Sequence, residues 1–271
     1  GWNAPAGAQA ITGHTALEGL SKSGVAGYPY YAALSWLSNQ KVDSTDSIAR
    51  QLLGEATANG NALPFFSRLY AYKNSANSAT WGSYSQFSTS MEDTALALKA
   101  IRVGKFTTAT YYPNYVSEMR TASLCSLLRS QNGDGGWGQG EPATGSFVNA
   151  SRSTIMSTVM VVLELNASFG ATASGTCNSV NYSVSTATSA ALNWLLTLKK
   201  QDSGFGAGAQ SSVIETAMAY EALSTLRPLD PAVASAMDYL LLKQDAGSLS
   251  TVGTPRDGGS WGGAHYKQLM S

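Results

Sequence analysis

Between Ile155 and Leu165 the chain is apolar almost all round, whereas between Val184 and Lys199 the residues Ala187, Ala191, Trp194, Leu195 and Leu198 form one stripe at helical spacing, with Ser and Thr elsewhere. The first pattern predicts a helix buried on every side, and the second predicts a helix that turns one apolar face to a core. The two kinds alternate along the chain. Buried-type helices are expected near residues 10–22, 43–57, 89–103, 152–168 and 210–226. One-stripe helices are expected near 28–40, 62–74, 114–131, 184–201 and 231–244, and an eleventh helix begins at about Ala264.

Between the helices a Gly-aromatic turn recurs: Trp81-Gly82, Gly136-Trp137-Gly138, Gly204-Phe205-Gly206 and Ser260-Trp261-Gly262, at intervals of 56, 68 and 56 residues. Most of these turns follow a helix ending in Leu and Gln, as in LLRSQNGDGGWG up to Gly138 and LTLKKQDSGFG up to Gly206. After the turn a second helix opens on a polar residue and continues with small apolar ones, as in EDTALALKAI from Glu92 and IETAMAYEAL from Ile214. A repeated helix, turn, helix unit cannot bury its apolar face alone, so its copies stack. The expected architecture is all-α: an α/α toroid of about five to six helix pairs, with an inner ring of buried helices and an outer ring of striped ones. An open solenoid is the alternative. We expect residues 1–271 to form one toroid domain, or one module of a longer chain, because a six-pair ring would lack its last outer helix at Ser271.

Composition narrows the function classes. Charged residues are 13% of the chain, against about 25% in typical domains. That balance suits a secreted or cell-surface protein. The formal net charge is zero, so no long-range field draws in nucleic acid, and no nucleic-acid partner is expected. No run of about 18 apolar residues predicts a transmembrane segment. Cys125 and Cys177 are the only cysteines, and a disulfide and two free thiols are both compatible with the sequence. The triplets starting at Asn149, Asn166 and Asn181 fit the N-glycosylation pattern, which matters only in a eukaryotic secretory route.

QNGDGGWG from Gln131, with the related turns, resembles the Gln-Trp repeats of squalene and oxidosqualene cyclases and the repeats of protein prenyltransferase β subunits. The resemblance covers nearly the whole chain and implies the terpenoid cyclase-like toroid. It implies structural work for the turn: glycines allow sharp bends at positive φ, the indole packs over the turn, and Gln bonds free backbone groups at helix ends. Two activities of similar folds lack their residues here. The prenyltransferase zinc site needs an Asp two residues before a Cys, which neither cysteine has, and the thioester motif Cys-Gly-Glu-Gln is absent at Cys125-Ser126-Leu127. The protonating motif of class II terpene cyclases, Asp-x-Asp-Asp-Thr-Ala, aligns with Ser90-Met91-Glu92-Asp93-Thr94-Ala95. The resemblance therefore places Glu92 at the acid position and Asp93 at the last one, with Ser90 in place of the first Asp.

Aligned on Thr-Ala, the inner helices bring one polar residue each to equivalent positions: His14, Asp93, Ser157 and Glu215, with Asp46 and His265 as weaker matches. These are the candidate ligand-binding residues, and His, Asp and Glu suit metal ligation or acid-base work if they converge. The competing reading makes the acids helix caps, since Ser212-x-x-Glu215 fits the capping box and Ser90-x-x-Asp93 is a close variant. No metal or cofactor is assigned. The leading expectation is a non-catalytic module of a secreted or cell-surface protein, a monomer or part of a larger chain, that binds a protein partner or a small amphiphilic or carbohydrate ligand. The alternative is an enzyme: a terpene cyclase-like acid catalyst using Glu92 and Asp93, or a toroid enzyme of the polysaccharide lyase kind.

Overall fold

The computed structural model of the chain describes residues 17, 28–74, 79–108, 110–111, 114, 118–140, 151–177 and 180–244. His14, His265, Asn149 and the turn at Trp261 lie outside the described residues. The inner helices are α2 (Thr45–Thr57), α4 (Met91–Val103), α6 (Ile155–Phe169) and α8 (Val213–Leu226). The outer ones are α1 (Tyr28–Ser38), α3 (Leu63–Ala71), α5 (Leu124–Arg129), α7 (Val184–Thr197) and α9 (Pro231–Lys243). The inner helices pack side by side in the order α2, α4, α6, α8, and α2, α6 and α8 each have outer helices packed against them. The fold is an all-α toroid of the expected inner and outer rings. One continuous core joins them, built from residues such as Leu52, Leu98, Ile101, Val161 and Leu195.

Each inner helix starts in the same way. Ser44, Ser90, Thr154 and Ser212 sit in extended conformation, and each side chain accepts the N–H of the residue three positions on: Ser47, Asp93, Ser157 and Glu215. These bonds satisfy one of the free donors that every helix start carries. The aromatic turn is stapled to the same place. Thr94, Thr158 and Thr216 accept the backbone N–H of Trp81, Trp137 and Phe205 at 3.0, 2.9 and 2.8 Å. The carbonyls of those aromatics accept the N–H of the cap residues Ser90, Thr154 and Ser212. On the other side the indole N–H groups of Trp81 and Trp137 donate to the carbonyls of Leu69 and Leu127 at the ends of outer helices. All three aromatics are fully buried. The repeat is thus a clamp joining an outer helix end to an inner helix start.

Gln131 bonds backbone carbonyls as expected, those of Gly135 and Ala187, at 2.8 Å each. The glycines have two separate reasons. Gly135 has φ +96°, whereas Gly138 is required by contact, since a Cβ there would lie 1.9 Å from the carbonyl oxygen of Ser151.

The structure departs from expectation in two places. The segment 118–123 before α5 is π-helical, and Ser123 in it donates to the carbonyls of Ala79 and Glu118. The stretch 169–183, which lies between two expected helices, holds a hairpin of β1 (Ser174–Cys177) and β2 (Val180–Ser183) paired antiparallel. A disulfide between Cys177 and Cys125 ties that hairpin to α5. Aromatic rings also pack on one another: Phe66 stacks on Phe106 at 4.3 Å, and Tyr111 meets Phe106 edge-on.

Candidate functional site

The first turns of the inner helices form one rim, and the residues there differ by position. The second residues of α2, α4, α6 and α8 are Asp46, Glu92, Met156 and Ile214, and the third are Ser47, Asp93, Ser157 and Glu215. Asp46 forms an ion pair with Arg50 one turn on, at 2.9 Å. Glu92 reaches across to the next inner helix, where the Ser157 hydroxyl donates to its Oε1 at 2.5 Å. Asp93 turns the other way, and its Oδ2 accepts the hydroxyl of Ser83 at 3.0 Å. Glu215 accepts weakly from the N–H of Ala207 in its own turn, at 3.4 Å. Of the predicted set, Ser157 and Glu92 are in direct contact, Asp93 stands beside Glu92 in sequence, and Glu215 keeps to its own repeat.

Capping is half of what the Ser-x-x-Glu pattern predicts. The Ser212 and Ser90 hydroxyls do accept from Glu215 and Asp93 N–H. The return bond, from the acid to the cap N–H, is replaced, because the aromatic carbonyl of the turn already takes that N–H. The carboxylates are therefore released from capping.

Asp93 is 9% exposed, and its carboxyl is pushed above the usual carboxylate value, first by burial and further by the nearby Asp46 carboxylate. The hydroxyls of Ser90 and Ser83 and the Arg50 guanidinium oppose that shift. Exposed apolar side chains on the same turns and helix starts include Tyr84 and Phe87, in ring contact at 5.3 Å after Ser83, and Met156 and Ile214 at the second positions of α6 and α8. Four pockets among the described residues lie elsewhere. Among the described residues no three His, Cys, Asp or Glu side chains gather as a metal-binding group, and no helix is long and apolar enough to cross a membrane.

Two ion pairs, each holding a buried carboxylate, had no signal in the sequence pattern. Lys73 pairs with Glu118, and Arg102 makes a two-pronged contact with Glu164 at 2.9 and 2.8 Å, joining α4 to α6. Their partners stand 45 and 62 residues apart, so spacing alone could not have found them.

Taken together, the rings and the stapled turns define an α/α toroid of the terpenoid cyclase-like kind. Among solved structures the chain is similar to ent-copalyl diphosphate synthase from Streptomyces platensis, with a TM-score of 0.61 and 19% identity, over 87% of this chain and 44% of that one. The shared property at that identity is the fold, and the chain spans less than half the length of that synthase. No family model and no curated protein matches the chain.

Proposed function

We propose that the rim is an acid site of the terpene cyclase kind, in which a carboxyl group protonates the alkene of an isoprenoid-class substrate. The observation that supports it is the pair of adjacent carboxyls in unlike surroundings: Asp93 buried with its proton held more tightly, and Glu92 extended across the rim to Ser157. Neighbouring acids whose environments differ divide acid and base roles between them. In this reading Asp93 gives its proton to the alkene carbon, the π electrons form the new C–H bond, and a carbocation faces the Asp93 and Glu92 carboxylates. Loss of a proton from the cyclised cation to Glu92 balances the reaction. Glu215, Met156, Ile214, Tyr84 and Phe87 would contact the substrate. The likeness to a terpene cyclase fold favours this reading over a non-catalytic module.

The experiment is incubation of the protein with linear polyprenes, with and without a diphosphate, in deuterium oxide. Deuterated cyclic product that disappears in both Asp93→Asn and Glu92→Gln is the expected result. Absence of any such product from the wild-type protein refutes the acid site. Saturable polyprene binding without product would instead support the module reading, in which the exposed apolar side chains hold an amphiphilic ligand. A secreted or cell-surface location is part of our proposal in either case, and the Cys125–Cys177 disulfide is its support, since such bonds persist in oxidising compartments.

A further inference from the structure

Away from the rim, the hairpin, Gln131 and the start of α7 line an open pocket of about 490 Å³, within the range of about 300–1,000 Å³ usual for small-molecule sites. Its wall carries hydroxyls and amides from Gln131, Ser174, Thr176, Asn181 and Thr186, with Tyr182 as its one aromatic ring. Among the described residues no charged side chain lines it. An ionic ligand entering there would shed water without meeting an opposite charge, which is costly. A neutral ligand rich in hydroxyls would meet partners for them and a ring for its C–H face.

The polar groups are set in advance. Gln131 spends both amide hydrogens on the carbonyls of Gly135 and Ala187, which fixes Oε1 as an acceptor that takes no bond among the described residues. Thr176 donates to Oδ1 of Asn181 at 2.7 Å, which orients the Asn181 amide with its N–H groups as donors. Tyr182 packs partly against the main core, and the hairpin is held to α5 by the disulfide at Cys177. Fixing side chains before binding lowers the ordering cost that weak ligands otherwise meet.

We propose that this pocket is a binding site for a neutral carbohydrate, independent of the acid rim. The test is NMR titration of the full chain with glucose, galactose, N-acetylglucosamine and cellobiose, alongside glucose 6-phosphate as a charged analogue. The expected result is saturable shifts confined to residues around Gln131, Asn181 and Tyr182 for at least one neutral sugar, with a Kd on the order of 1 mM. Tyr182→Ala and Thr186→Met, which fills the pocket from an exposed position on α7, should each weaken that binding about tenfold or more, and glucose 6-phosphate should bind no better than its neutral parent. No saturable shift with any neutral sugar overturns the proposal. So does binding that Thr186→Met leaves unchanged while its amide spectrum shows a folded chain, or tighter binding of the phosphate.

Discussion

Thr158→Val isolates the clamp between turn and inner helix. The Thr158 hydroxyl accepts from Trp137 N–H at 2.9 Å and makes a long contact, 3.4 Å, with the Trp137 carbonyl. Valine keeps the shape and a similar helix propensity and removes only the hydroxyl. The carbonyl of Trp137 retains the N–H of Thr154 at 2.9 Å, so a single donor, the fully buried Trp137 N–H, is left without a partner. Such a group costs about 1–3 kcal/mol, and we take about 2 kcal/mol for this variant. At roughly 2–4 °C per kcal/mol for a chain of this size the melting temperature should fall by about 4–8 °C. Thr158→Ser keeps the bond and loses one methyl, worth about 0.8 kcal/mol, so it should fall less. Urea denaturation followed by circular dichroism and tryptophan fluorescence reads both variants. A Val variant within 0.5 kcal/mol of wild type, or a Ser variant as costly as Val, would show that the repeat is held by packing of the indole and that the threonine bond contributes little.

Asp93→Asn tests the buried acid through pH. A carboxyl whose folded pKa is raised contributes its full stability below its unfolded value, 3.8, and loses it as pH rises through the folded value. The Asn variant should therefore gain on wild type as pH increases across that window, and urea melts from about pH 3 to 8 would contradict the assignment if the difference stayed flat. Removing the disulfide with Cys125→Ser and Cys177→Ser together opens a loop with a sequence separation of 52. The chain-entropy account puts the loss at about 4 kcal/mol, and thermal melts of the double variant against the oxidised protein measure it. Arg102→Met leaves the Glu164 carboxylate, which is only 4% exposed, with the Ser168 hydroxyl but without its cation, and should cost about 2 kcal/mol in denaturant unfolding. Adding Glu164→Leu to that variant should restore most of the loss, and a double variant as unstable as the single one would refute the stranded-charge account.

What the sequence made legible was periodic. Buried and striped patterns located the inner helices near 43–57, 89–103, 152–168 and 210–226 because each must turn a fixed face to its neighbours. The Thr-Ala alignment marked Thr94, Thr158 and Thr216, but their role needed the turn folded back onto the helix start. The ion pairs Lys73–Glu118 and Arg102–Glu164 were hidden for a different reason: a contact across helices depends on which repeats become neighbours, and the residues themselves follow no local rule. The hairpin was hidden because Ser174-Gly-Thr-Cys and Val180-Asn-Tyr-Ser are short and mostly polar, so alternation is too weak to signal a strand. The disulfide that anchors it depends on a distance that spacing does not give.

The rim follows from how the clamp divides its labour. In an ordinary capping box the acid at the third position is consumed by the cap N–H. Here the aromatic carbonyl takes that N–H and the threonine one position further on holds the turn. The side chains at the second and third positions are thereby not needed by the cap N–H in three successive repeats, and only the Ser157 hydroxyl still meets a cap hydroxyl, that of Thr154 at 2.8 Å. That is why they vary as Glu92-Asp93, Met156-Ser157 and Ile214-Glu215 over a constant scaffold, and why Glu92 can reach a neighbouring helix while Asp93 is drawn under Ser83. A toroid built this way can change the chemistry of its mouth by substituting two residues per repeat without disturbing the clamp. If so, exchanging Met156 for Glu should leave folding intact, because that side chain is 48% exposed and makes no clamp bond. A melting temperature within about 2 °C of wild type is the expected result, and a large loss would mean that the rim positions carry packing the clamp alone does not supply.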